Sequence, residues 1–62
     1  MRNNKQYWLS IIRIDMSLLK YYDDKMLELY GKTYKQIEKC KEDEIHNIMR
    51  SLHKIYETKV VQ

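Results

Sequence analysis

Leu29-Tyr30-Gly31-Lys32-Thr33-Tyr34-Lys35-Gln36 is the stretch that decides the fold. Gly31 is the only glycine in the chain, which contains no proline. A glycine suits the left-handed position just beyond a helix end, because it has no Cβ to clash there. Thr33 followed three residues later by Gln36 is a capping box, in which each side chain takes up an orphan backbone N–H of the next helix. A stop and a start two residues apart define a tight αα-hairpin. Working outward, the pattern predicts one helix over residues 5–30 and an antiparallel second over 34–59. Glu42-Asp43-Glu44, behind Cys40-Lys41, is a further start signal. A three-helix alternative with a short piece at 33–39 therefore stands beside the hairpin.

The chain has 62 residues, enough for a single helical-hairpin domain over 1–62 and no second one. A chain this short is marginal alone and usually gains a disulfide, a metal or a partner subunit. Cys40 is the only cysteine, so no intrachain disulfide forms and a reducing compartment is implied. The net charge of +3 is mild, and acids alternate with bases, so no dense basic stripe marks a dedicated nucleic-acid binder. Arg13 and Asp15 interrupt the apolar run behind the basic residues 1–5, and no stretch approaches the roughly 20 apolar residues of a membrane span. The expectation is a cytoplasmic protein. Its richness in Lys, Ile, Asn and Tyr hints at a phage or mobile-element source.

Helical spacing separates the two halves. Tyr34, Ile37, Ile45, Ile48, Met49, Leu52, Ile55 and Tyr56 fill an arc of roughly 120°, the width of one buried face. The apolar residues of the first helix spread over roughly 240°. One flank carries Tyr7, Ile11, Ile14, Leu18 and Tyr21; the other carries Trp8, Ile12, Met16, Leu19, Met26 and Tyr30. One partner helix cannot cover both. Leaving several such side chains half wet costs about 1 kcal/mol apiece, so the surplus flank predicts association. Trp8, Ile12, Asp15, Leu19, Tyr22, Met26 and Leu29 also follow the alternating three- and four-residue steps of a bundle. The simplest arrangement is a homodimer in which two hairpins form a four-helix bundle. Asp15 lies in mid-seam and needs a polar partner if buried.

In length, central turn and seam spacing the chain resembles the Rop family of plasmid copy-number regulators, homodimeric four-helix bundles that bind paired RNA loops. The resemblance covers the chain as architecture and carries no distinctive motif. It implies a basic RNA surface, for which Lys25, Lys32 and Lys35 are the candidates, yet the outer flank of the first helix is mainly apolar. By size the chain also resembles the small phosphatases that act on sporulation response regulators. Those carry an aspartate shortly after a serine, whereas Ser51 is followed by Leu52, His53, Lys54 and Ile55.

The remaining motifs have plainer readings. Gly31-Lys32-Thr33 ends like a phosphate-binding loop, but Met26 stands where that loop needs glycine. Tyr21-Tyr22-Asp23-Asp24 resembles a polymerase motif that requires a hairpin of strands. His46 and His53 share a helix face about 10 Å apart, too far for one metal, and read as surface residues. Cys40 reads as a half-buried small residue. No catalytic, cofactor or metal residues are expected, and neither a membrane nor a small-molecule substrate. The expected function is protein association: a small regulator or inhibitor docking on a host protein or on itself. Its interface residues are Tyr7, Trp8, Ile11, Ile14, Asp15, Leu18, Tyr21 and Tyr22.

Overall fold

A computed structural model describes residues 4–61. The described residues are all-helical and form four helices: α1 (Asn4–Leu19), α2 (Asp23–Tyr30), α3 (Tyr34–Glu38) and α4 (Glu42–Val61). Among the described residues there is no strand. The expected turn is present. Gly31 has φ +71° and its N–H donates to the Leu27 carbonyl at 2.7 Å, ending α2 in a left-handed cap. Thr33 N–H donates to Gln36 Oε1 at 2.9 Å, within the capping box that opens α3.

Two further breaks correct the pair of continuous helices expected over 5–30 and 34–59. The first follows Leu19. Lys20 takes φ +58°, its N–H donates to Ser17 O at 3.1 Å, and Tyr21 N–H donates to Met16 O at 2.8 Å. These are the two hydrogen bonds of a Schellman motif. Its usual apolar accompaniment is present, since Met16 and Tyr21 both pack on the core. The motif was invisible in the sequence because a lysine occupies the glycine position. A side chain in the left-handed region costs about 1–2 kcal/mol, while glycine costs some entropy in the unfolded chain. Lys20→Gly is therefore expected to stabilise the fold by about 0.5–1 kcal/mol, read as a higher urea midpoint with an unchanged slope.

The second break lies at 39–41, the position where Glu42-Asp43-Glu44 signals a fresh start. Lys39 N–H donates to Gln36 O at 3.1 Å and Cys40 N–H to Ile37 O at 3.0 Å, closing α3. The three acids then occupy the first turn of α4, as Asp23 and Asp24 occupy that of α2. Carboxylates there offset the positive end of the helix dipole. Asp23 also accepts a hydrogen bond from Tyr34 N–H at 3.3 Å, tying the start of α2 to the start of α3.

The breaks let all four helices contribute to one core. Leu9 and Ile12 come from α1, Met26 from α2, Ile37 from α3, and Ile45 and Leu52 from α4. The principal helix pair is α1 on α4. Trp8, Met16 and Leu19 pack against this core, so the flank of α1 that meets α4 is the one carrying Trp8 and Ile12. Leu9, absent from both expected flanks, joins it. Beyond Leu19 the expected seam holds only at Met26, which is buried: Tyr22 is 71% exposed and Leu29 is also exposed, because the break at Lys20 resets the helical phase.

Tyr30 is half-buried, and its hydroxyl, beside Ser51, lacks a hydrogen bond of good geometry. Burial pushes its pKa above the ordinary 10.0, Tyr21 adds to the rise, and Ser51 opposes it. Burial likewise raises Tyr34, with Glu38 adding to it, and raises the Cys40 thiol, helped by Glu44. A raised pKa in the fold means stability that is complete below the unfolded value and lost as pH rises through the folded one. The thermal midpoint should thus fall as pH climbs above about 9–10. Tyr30→Phe should shallow that fall without lowering stability at neutral pH, since it removes an unpaired buried hydroxyl.

Candidate functional site

Two features of α1 stand out, one on each side of the helix. The outer side is apolar and uncovered. Tyr7, Ile14 and Leu18 are 63%, 55% and 57% exposed, and Ile11 between them is half-buried. At steps of four, three and four residues they form one stripe along the whole helix, within roughly 60° of arc. Ser10 and Ser17 border the stripe, while Arg13 and Lys20 lie further round. This is the surplus flank anticipated from the 240° spread. It exists because α4 fills only the opposite face and the short α2 and α3 do not reach around α1.

The inner side carries a polar contact. The Asp15 side chain is buried, the residue being only 2% exposed, and its Oδ2 lies 2.8 Å from His53 Nδ1 on α4. A carboxylate only accepts, so the imidazole donates from Nδ1 and its Nε2 faces outward. One turn further along α4, Glu57 Oε2 lies 3.9 Å from that Nε2. The Tyr56 ring lies 5.8 Å from the His53 ring, centroid to centroid. His53 was read from sequence as a surface residue. It is instead the polar partner that a buried Asp15 requires, in a pair separated by 38 residues. It remains half-exposed, with 43% of its side chain accessible. His46 behaves differently: it stacks on Trp8 at 4.2 Å between centroids.

The residues expected at an interface thus divide. Tyr7, Ile11, Ile14 and Leu18 form the outer stripe, and Tyr22 is exposed just beyond its end. Trp8 and Tyr21 pack on the chain's own core, and Asp15 is held by His53. Of the candidate RNA-contacting lysines, Lys25 pairs with Glu28 at 3.4 Å and Lys32 with Glu44 at 3.7 Å. Lys35 is exposed on α3. Lys25 and Lys59 both approach the Tyr21 ring, at 5.9 and 5.5 Å from its centroid. The Lys59 contact ties the turn after α1 to the end of α4, and the Lys25 contact ties it to α2.

Cys40 is half-buried, and its Sγ donates to the Gln36 carbonyl at 3.4 Å. With its pKa raised by burial and by Glu44, its thiolate is disfavoured. Among the described residues no group of three His, Cys, Asp or Glu side chains converges as a metal cage, and no helix is long and apolar enough to cross a membrane. No protein-family model, curated protein or solved structure gives a significant match to this chain.

Proposed function

We propose that this chain is a non-enzymatic association module whose docking face is the outer stripe of α1, and that the occupant of that face is a second copy. The observation that supports it is the exposure of Tyr7, Ile14 and Leu18 along one helix whose opposite face already fills the core. The stripe is self-complementary. In an antiparallel crossing centred on Ile14, Ser10 falls opposite Leu18 of the other copy and Ser17 opposite its Ile11. Large side chains then meet small ones, as close helix packing requires. No charged residue lies on the stripe, so nothing in it favours a partner of opposite charge.

The exposed area suits a weak, concentration-dependent pairing. The stripe exposes roughly 400 Å² per copy at the areas usual for such side chains. Two copies face to face then remove on the order of 800 Å², below the usual size of a permanent interface. The product is a bundle with two α1 helices at its centre, each backed by its own α4. An RNA-binding role has less support, since Lys25 and Lys32 are engaged with carboxylates.

Sedimentation equilibrium tests the reading. The unmodified chain should be dimeric at micromolar concentration. Replacing Ile11, Ile14 and Leu18 together with serine should give a monomer of unchanged helical content. A folded monomer from the unmodified chain at high concentration would sink the proposal.

A further inference from the structure

We infer that His53 Nε2 and Glu57 Oε2 form a binding site for a divalent transition metal such as zinc, with Asp15 as the outer carboxylate that orients the imidazole. The inference is independent of self-association and rests on three facts. First, Asp15 is buried and its carboxylate accepts a hydrogen bond from His53 Nδ1–H at 2.8 Å. In the neutral ring this leaves the lone pair on Nε2, the outward nitrogen. A carboxylate on the far ring nitrogen is the usual outer support of a metal-binding histidine, since it fixes the tautomer and raises the basicity of the ligand.

Second, Glu57 stands one turn along α4 with Oε2 only 3.9 Å from that Nε2. Two acceptor atoms face each other there, an arrangement that a cation between them satisfies. Third, the spacing suits an ion. Bonds of about 2.0–2.2 Å to each atom at a tetrahedral angle bring nitrogen and oxygen to about 3.4 Å apart. That is a small closure for a glutamate whose side chain is 62% exposed. One imidazole with one carboxylate selects a zinc-like ion over magnesium or calcium, which prefer all-oxygen shells. Waters complete the shell, so the site is open and its outward positions are free to exchange.

Sequence spacing alone argued against a metal, because His46 and His53 lie too far apart to share one. His46 is stacked on Trp8 and takes no part. It therefore serves as an internal control.

The test is titration of the full chain with zinc chloride near pH 7.5, followed by the imidazole nitrogen resonances of both histidines. A saturable shift at His53 Nε2, with His46 little changed, is the expected result. Glu57→Gln should weaken zinc affinity by tenfold or more while circular dichroism stays the same, because Glu57 lies outside the core. Magnesium at the same concentrations should leave the spectrum unchanged. Absence of a saturable shift up to millimolar zinc would overturn the inference, as would equal affinity in Glu57→Gln or binding centred on His46. Should His53→Gln fail to fold, the Glu57 variant still decides the matter.

Discussion

Replacing His53 with leucine is expected to unfold the chain at 25 °C, although His53 is itself half-exposed. The reason lies in what stays behind. Asp15 is buried, and His53 is the partner placed on its carboxylate by the fold. Removing one member of a buried pair leaves an uncompensated charge and costs about 3–5 kcal/mol. A core of this size rarely supplies more than about 3–5 kcal/mol in total. The effect should be asymmetric. The double variant Asp15→Val with His53→Leu removes both polar partners and should recover most of the lost stability, since apolar replacements of a buried pair are often neutral. Asp15→Asn keeps an acceptor for the imidazole and should cost less than His53→Leu. Urea unfolding of the parent chain, Asp15→Val, His53→Leu and the double variant forms a double-mutant cycle. A double-variant loss equal to the sum of the two single losses would show that the pair is not coupled.

The second large effect separates two isoleucines two residues apart on α1. Ile12 is fully buried in the core with Met26, Ile37, Ile45 and Leu52. Ile12→Ala deletes packed methylene and methyl groups and leaves a cavity, which costs about 2–5 kcal/mol. That loss is comparable with the whole stability of the domain. Ile14 is more than half exposed on the outer stripe. Ile14→Ala should leave the unfolding free energy of the monomer within about 0.5 kcal/mol of the original, with its effect seen instead in the association constant. Circular dichroism melts at several protein concentrations separate the two. Ile12→Ala should lower the midpoint at every concentration, whereas Ile14→Ala should act only where the parent chain is associated.

A dimer through the outer stripe would leave the Asp15–His53 contact inside each copy, beside the stripe and one turn from Ile11. The polar contact would then fix how α4 sits on α1, while the apolar stripe sets what α1 meets outside. Association rests on the shape of the stripe, and the buried carboxylate borders that face.

How much of this was legible in advance varied with the range of the forces involved. The turn at Gly31 and the capping box at Thr33 and Gln36 were plain, because both depend on residues within one turn of each other. The start at Glu42 was visible as an alternative for the same reason. The break at Lys20 was not, since nothing in a lysine announces a left-handed residue. Only the packing of Met16 and Tyr21 onto the core makes that conformation worth its strain. The surplus apolar flank of α1 was legible as a quantity, but which flank was surplus depended on where α4 lay. For the polar site, sequence showed that Asp15 needed a partner and placed His53 on a helix surface. It had no means of joining them across 38 residues.

The amino-acid sequence by itself determined an all-helical chain, the turn at its centre, and the excess of apolar surface on α1. Each follows from spacing and local backbone chemistry. Only the tertiary structure decided that the chain breaks into four helices, that Trp8 and Ile12 face inward while Ile14 and Leu18 face out, and that Asp15 closes on His53. Those outcomes depend on which distant groups exclude water together, and burial of that kind is a property of the assembled core rather than of any segment within it.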